Sequence, residues 1–388
     1  MSAPPTEQIS NADGSIAAVI VQSGSGNRAG NPDSRTVSVT TGGIWQKDNR
    51  GNTTAEVRQS GNGNIGMVAQ EGVSSKYGRI TQTGNSNIGT VVQQGGIGGG
   101  AALTQAGDDN RATITLQYMQ DYRPGNSGVV EVIQLDRSNR AEVQQVGSGR
   151  TALWQSGSYN KAILGNQLPV GDLVVEQAGT GNFARATSPG SIAQFGIGNT
   201  AVVLGDDSLV INPLGYATRG LVNQQGSANV AIIDQSKSAG DGLAGIDQLG
   251  SKNTASITTG GRYSTGKLQI GQQGYANSAS ITDFSFSGGA ASIEQNGVSQ
   301  QSSIFQTGWQ TGQASTVQTG GDNVASIYQD SSDEAQILQD GYRNRARINQ
   351  SSGGSWTYNV ANIRQQGNDS QARIQQTGMG NRAGIRQY

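Results

Sequence analysis

Apolar and polar side chains alternate along this chain with a period of two, in short runs broken by glycine and asparagine. Ala55, Val57 and Gln59 share one parity and Glu56 and Arg58 the other; past a Gly/Asn break, Gly66, Val68 and Gln70 resume the first. A two-residue period places successive side chains on opposite faces of a strand. Small, branched and amide side chains therefore line the inside, and charges line the outside. Each run predicts a strand, a Gly/Asn turn, a second strand and a second turn of variable length. Gly and Asn at the break are expected to supply the positive φ that a tight reversal needs.

The runs follow one phrase: Gln, any residue, Gly, two more, Asn, any residue, Ala, any residue, Ile or Val. Its opening Gln falls at 22, 59, 82, 105, 134, 155, 177, 194, 224, 248, 272, 295, 318, 339 and 365, with a further copy from Gln376 to Gln387. Five copies depart from it: Gly66 and Gly89 stand for Ala, Asp136 for Gly, Ser370 for Asn, and Gln300 with Ser302 for Asn and Ala. A second Gln often follows after eleven residues, at 70 and 93 for example. A repeat of 21 to 24 residues is the signature of a stacked architecture.

One such unit cannot stand alone. Its two Ile/Val residues contribute roughly 1.5–3 kcal/mol each when buried, against about 1–2 kcal/mol of backbone entropy for every residue ordered. Stacking supplies the rest, because each rung pairs its backbone with the rungs above and below. The expected fold is all-β: a β-solenoid of strand-turn-strand rungs, about 15–16 of them, forming two facing parallel sheets with amyloid-like spacing of about 4.7–4.8 Å.

The interior amides are expected to bond to their own kind one rung away, because an unsatisfied buried amide costs roughly 2–7 kcal/mol. In copies with the clearest phrasing this ladder consists of Gln59, Asn64, Gln70, Gln82, Asn87, Gln93, Gln105, Asn110, Gln155, Asn160, Gln177 and Asn182. It continues through Gln224, Asn229, Gln248, Asn253, Gln272, Asn277, Gln318, Asn323, Gln339 and Asn344.

Composition agrees with a narrow core. The 388 residues include 59 Gly and only 5% aromatic and 33% hydrophobic residues, too little for conventional globular cores of this size. Net charge is −1, from 26 basic and 27 acidic residues spread along the chain, so no nucleic-acid partner is indicated. No apolar run approaches 18 residues, so no membrane insertion is expected. Residues 1–14 are polar, lack the hydrophobic stretch of a signal peptide, and are expected to form a flexible arm ahead of a solenoid over 15–388. Interruptions at 31–53, 121–128, 205–220, 236–242, 284–289 and 351–359 fall between phrases, and predict longer loops at the second corner.

Candidate chemistry is sparse. The chain has no histidine and no cysteine, which excludes His-based triads, thiol nucleophiles and His- or Cys-ligated metals. The carboxylate pairs Asp108/Asp109, Asp206/Asp207 and Asp333/Glu334 fall at turns or loops, where solvated turn formers are expected. No enzyme and no cofactor follow. Trp154, Phe305 and Tyr328 are expected outside on strands, Tyr159, Tyr275 and Tyr342 at turns, in surface stacking. Arg79, Arg111, Arg140, Glu142 and Glu176 are expected as solvated charges that limit sideways pairing.

The phrase Gln-x-Gly-x-x-Asn-x-Ala, with Gln again four residues on, closely resembles the curlin repeat of bacterial curli. The segment Gln376-Thr-Gly378-Met-Gly-Asn381-Arg-Ala383-Gly-Ile385-Arg-Gln387-Tyr388 is similar to the end of a curli major subunit. The resemblance covers about residues 16 to 388. It implies a secreted, extracellular structural subunit that polymerises into amyloid fibres of the biofilm matrix. It also implies a nucleating minor subunit, an outer-membrane secretion pore, and chaperones that hold the subunit unfolded. The expected mode of growth is head-to-tail, through open ends carrying Ile20 and Gln22 at one side and Gln376, Asn381, Ile385 and Gln387 at the other. At about 4.8 Å per rung each subunit would add roughly 70–75 Å to a fibre. The rival reading is a monomeric secreted β-helix adhesin or a glycan-binding or glycan-degrading protein.

Overall fold

A computed structural model of the chain describes residues 7–9, 16–28, 43–47, 49, 51–74, 76–117, 128–145, 149–166, 172–187, 189–204, 219–238, 242–261, 266–284, 289–307, 312–330, 332–351 and 358–388. The described residues contain no helix. The chain divides into two compact units, Met1–Thr187 and Ser188–Tyr388.

The first unit holds β1 (Glu7–Ile9), β2 (Ile16–Ser23), β3 (Gly43–Lys47), β4 (Thr53–Asn62), β5 (Ile65–Glu71), β6 (Tyr77–Asn85), β7 (Ile88–Gln94) and β8 (Gly100–Asp108). It continues with β9 (Arg111–Gln117), β10 (Val129–Arg137), β11 (Arg140–Gln145), β12 (Arg150–Ser158), β13 (Lys161–Asn166), β14 (Leu173–Thr180) and β15 (Phe183–Ala186). The second holds β16 (Gly190–Ile197), β17 (Thr200–Leu204), β18 (Arg219–Ser227), β19 (Val230–Ser238), β20 (Leu243–Ser251), β21 (Thr254–Gly261), β22 (Lys267–Tyr275), β23 (Ser278–Asp283) and β24 (Ala290–Val298). Its remaining strands are β25 (Gln301–Gln306), β26 (Gln313–Gly321), β27 (Val324–Gln329), β28 (Glu334–Tyr342), β29 (Arg345–Ser351), β30 (Val360–Asn368), β31 (Gln371–Thr377) and β32 (Arg382–Gln387).

In each unit the even strands form one parallel sheet and the odd strands the other, so every strand pairs with the strand two places on. This is the β-solenoid of strand-turn-strand rungs that the period of two and the repeat of the phrase predict. Register follows the phrase. Val57, Ile80, Leu103, Val132 and Leu153 align in the first unit. Ile246, Ile270 and Ile293 align in the second, facing a column of Ile257, Ile281, Ile304 and Ile327. Nearly all are sealed from solvent. A one-residue slip would turn each of these columns outward.

Departures from the phrase are compensated inside. A Cβ added at Gly66 would lie 2.7 Å from Val57 Cγ1, so the small position there has no room for Ala. Ser302 and Thr316 replace Ala and Ile in facing columns, and their hydroxyls bond to each other at 2.6 Å. Two polar substitutions thus satisfy one another in an otherwise apolar seam.

The turn differs from the expectation in one respect. Positive φ falls on the phrase glycine (118° at Gly250, 117° at Gly274) and on the residue just before the Asn, such as Lys252 (57°) and Ala276 (56°). The phrase Asn itself takes no positive φ; it is retained for its hydrogen bonds.

The corners differ from the expected pattern at two places. The segment 31–53 is not a single second-corner loop. Arg28 bridges Ile65, and β3 then pairs with β5 from Gly43↔Met67 onward, so the insertion interrupts an odd-sheet arc. The interruptions at 121–128, 205–220, 236–242, 284–289 and 351–359 do follow odd strands, but 219–220 already belong to β18 and 236–238 still belong to β19. The phrase beginning at Gln376 also sits at the other corner. Gln376 pairs with Gln350 in the odd sheet and Gln387 with Gln365 in the even one, so this copy runs from β31 to β32, odd to even. Of the arm expected over 1–14, Glu7–Ile9 is strand β1, paired with β3, and the rest lies outside the described residues.

Candidate functional site

Among the described residues the interior amides are the polar groups that the fold gathers in number, so the site is built from them. In the even sheet each ladder Gln lies inward after two smaller or aliphatic inward residues, as Gln59 follows Ala55 and Val57 and Gln155 follows Thr151 and Leu153, where the strand approaches a turn. Gln59, Gln82, Gln105, Gln155 and Gln177 are buried in the first unit, and Gln224, Gln248, Gln272, Gln318 and Gln339 in the second. Gln22 Nε2 donates to Gln59 Oε1 at 2.6 Å, and Gln59 in turn to Gln82 at 2.7 Å. The chain of donation continues through Gln105, Gln134, Gln155 and Gln177 at 2.8 Å each. The second unit repeats it from Gln194 through Gln224, Gln248, Gln272, Gln295, Gln318, Gln339 and Gln365 to Gln387, at 2.7–2.9 Å. Every donor points toward the higher-numbered rung.

The second N–H of most of these amides crosses the seam. Gln248 Nε2 donates to Val230 O at 3.0 Å and Gln272 Nε2 to Thr254 O at 3.0 Å. The Gln columns therefore tie rung to rung and sheet to sheet at once. The odd sheet carries a second, less regular column. Gln46 donates to Gln70 and Gln70 to Gln93, both at 2.7 Å, while Gln306, Gln329, Gln350 and Gln376 continue it in the second unit. Leu116, Thr259 and Asp283 occupy aligned positions and break it. Beside Asp283, Gln306 Oε1 has no donor among the described residues.

The Asn columns bond differently from expectation. Few Asn side chains reach another Asn side chain; instead each Asn staples backbone across the corner. Asn229 Oδ1 accepts the Asn253 backbone N–H at 3.0 Å, while its Nδ2 donates to Gln225 O at 3.3 Å and Gly250 O at 2.9 Å. Asn64, Asn87, Asn110, Asn160, Asn182, Asn277, Asn323 and Asn344 are buried in the same way at their corners. Direct side-chain pairing is retained at Asn87–Asn64 (3.1 Å). Gln300 fills an Asn slot, donating to Asn296 O and Gly320 O at 3.0 Å.

The phrase did not reveal several buried polar residues. Gln46 follows the insertion at 29–42, out of step with Gln22. Asp333, expected in a solvated turn, is fully buried and accepts the Asn359 N–H at 2.8 Å, while Glu334 beside it is exposed. Lys76, in the short corner between β5 and β6, is also sealed, with Nζ donating to Gly95 O at 2.9 Å. Burial lowers the Lys76 ammonium to about 7. Asp108 and Asp109 sit in an exposed turn, and Asp206/Asp207 lie outside the described residues.

Outside, charges are exposed at Arg79, Arg111, Arg140, Glu142 and Glu176. Burial acts to raise the Glu56 carboxyl, but the Arg58 hydrogen bond and the Arg79 charge outweigh it and hold it low. Arg343 pairs with Asp369 one rung on, at 2.6 Å. Trp154, Tyr159, Tyr275 and Tyr342 are exposed. Phe305 and Tyr328, in register on adjacent rungs, stack with centroids 5.2 Å apart and planes 3° off parallel.

At the two ends the same positions are less covered. Ile20, Gln22, Asn381, Ile385 and Gln387 are half-buried, whereas their interior equivalents are sealed; Gln376 is 6% exposed. No protein-family model matches the chain, and no curated protein matches it. The fold and its buried Gln/Asn ladders are consistent with curlin-like amyloid repeats.

Proposed function

We propose that this chain is a structural subunit that assembles with copies of itself, head to tail, into extracellular curli-type amyloid fibres of a biofilm matrix. The supporting observation is the match between interior and ends. Inside each unit the rungs cover one another through aligned apolar positions and an unbroken even-sheet glutamine column; β2 and β32 carry the same Ala, Ile and Gln positions with one side uncovered. An edge that presents unpaired backbone and a half-exposed amide column is a template for another strand. The reading brings with it the family's machinery: a nucleating minor subunit, an outer-membrane secretion pore and periplasmic chaperones.

The test is negative-stain microscopy of the full chain after removal from denaturant, with SDS resistance and thioflavin binding followed alongside. Unbranched, SDS-resistant fibres are expected. Persistent monomers at high concentration would refute the reading and favour a solitary adhesin or glycan-binding solenoid.

A further inference from the structure

The direction of the Gln column carries a consequence for how two copies meet. In both units every Gln–Gln bond of the even sheet donates from the lower-numbered rung to the higher. The column is a polar chain of amides with unlike ends. At one end Gln22 donates to Gln59, and its Oε1 accepts no hydrogen bond among the described residues. At the other, Gln387 Oε1 accepts from Gln365 at 2.8 Å and its Nε2 donates to Gln371 O at 3.0 Å, which leaves one N–H unused. An amide nitrogen has two donors and its oxygen two lone pairs, so the spare groups are complementary.

Resting on the self-assembly reading above, we propose that the copy-to-copy joint is polar and register-locked: β32 of one molecule lies parallel against β2 of the next, with Gln387 donating to Gln22. The inward residues of the two strands match in kind and spacing. Ala383-x-Ile385-x-Gln387 meets Ala18-x-Ile20-x-Gln22, and all six are half-buried in the single molecule. The odd sheet continues in the same register. Gln376 Nε2 donates to Val360 O and retains one N–H, and Gln8 in β1 holds the backbone position aligned with Gln46 and Gln70.

Other joints fail on these groups. Two β32 ends would oppose donor to donor, and two β2 ends acceptor to acceptor. A shift by two residues would place Ile385 against Gln22 or Ala18 and leave both amides unsatisfied. A shift by one would turn the apolar residues outward. The joint therefore admits one polarity and one register, which fixes the fibre as directional, with the growing faces chemically distinct.

The absence of cysteine from the chain allows a direct test by cross-linking. Val21 and Arg386 are exposed outward neighbours of the two glutamines and become register partners across the joint. Adjacent in-register strands bring such Cα atoms to about 4.8 Å, within the range a disulfide spans. The full chain carrying both Val21→Cys and Arg386→Cys, assembled and then oxidised, should run on a denaturing non-reducing gel as a ladder of covalent multimers. The pair Val19→Cys with Arg386→Cys, on the same face but two residues out of register, should remain almost wholly monomeric. Arg386→Cys alone should give no dimer.

Equal cross-linking by both pairs, or dimers from Arg386→Cys alone, would overturn the proposed register or polarity while fibres still form. If the unmodified chain makes no fibres, the assembly reading itself falls, and the joint with it.

Discussion

Replacing one ladder glutamine by leucine tests the buried amide column most directly. Gln248 is fully buried; it accepts from Gln224 at 2.7 Å and donates to Gln272 Oε1 at 2.8 Å and Val230 O at 3.0 Å. Gln248→Leu keeps the volume and removes all three bonds. It orphans one N–H of Gln224 and the oxygen of Gln272, while the Val230 carbonyl keeps its place in the sheet ladder. Each stranded polar atom costs about 1–3 kcal/mol, or about 2–6 kcal/mol for two. Burial of the leucine side chain returns about 1.5–3 kcal/mol. The net expectation is a local loss of about 2 kcal/mol, so amide exchange should accelerate tenfold or more, at about 1.4 kcal/mol per decade. Gln273→Leu, one residue on and exposed, is the control and should stay within about 0.5 kcal/mol.

The assay is hydrogen-exchange mass spectrometry of the full chain. Because each rung touches only its neighbours, loss of protection should concentrate in β18, β20 and β22 and fade along the stack. Indistinguishable exchange in the Gln248→Leu and Gln273→Leu variants would show that the column carries no net stability, and the argument for it would fail.

Three other perturbations bear on corners and ends. A Cβ at Gly250 would lie 2.0 Å from Gly274 O at a φ of 118°, so Gly250→Ala should destabilise the turn by more than about 2 kcal/mol. Asp136, which occupies the same slot at a φ of 67°, should by contrast tolerate replacement by Gly, and paired denaturant midpoints measure both. Lys76, lowered from 10.5 to about 7 by burial, is charged below pH 7 in folded and unfolded chain alike, and the fold then bears the cost of an interior ammonium. Between pH 7 and 10.5 only the unfolded chain holds the proton, so stability should rise with pH. At about 1.4 kcal/mol per unit the gain is several kcal/mol; Lys76→Met should flatten the profile, and a slope unchanged by that substitution would refute the assignment. Truncation after Gln376 removes β32 and should slow fibre elongation; unchanged thioflavin growth kinetics would count against growth through that edge.

Much of the design was legible in the chain because its information is local and repeated. Alternation of Ala, Ile/Val and Gln with charged residues set strand, inward face and register together, since one parity must be buried in every rung. Parity alone puts Val57 and Arg58 on opposite faces. The regular even-sheet Gln column could be read because no copy of the phrase lacks its opening Gln. The odd column was harder: Leu116, Thr259 and Asp283 keep the inward slot but not the amide, and Gln46 lies beyond an insertion that breaks the count.

What the sequence alone determined is the period, the two-strand rung and the identity of the inward side chains, because a parity of two admits only one buried face. Tertiary structure decided how the corners are held. Positive φ passed from Asn to the residue before it, freeing each Asn to bond backbone on neighbouring rungs. It also decided that Lys76 and Asp333 turn inward and that the last phrase spans the opposite corner. These depend on which carbonyls and N–H groups another rung brings within about 3 Å, and that contact between residues twenty or more apart is written in no single phrase.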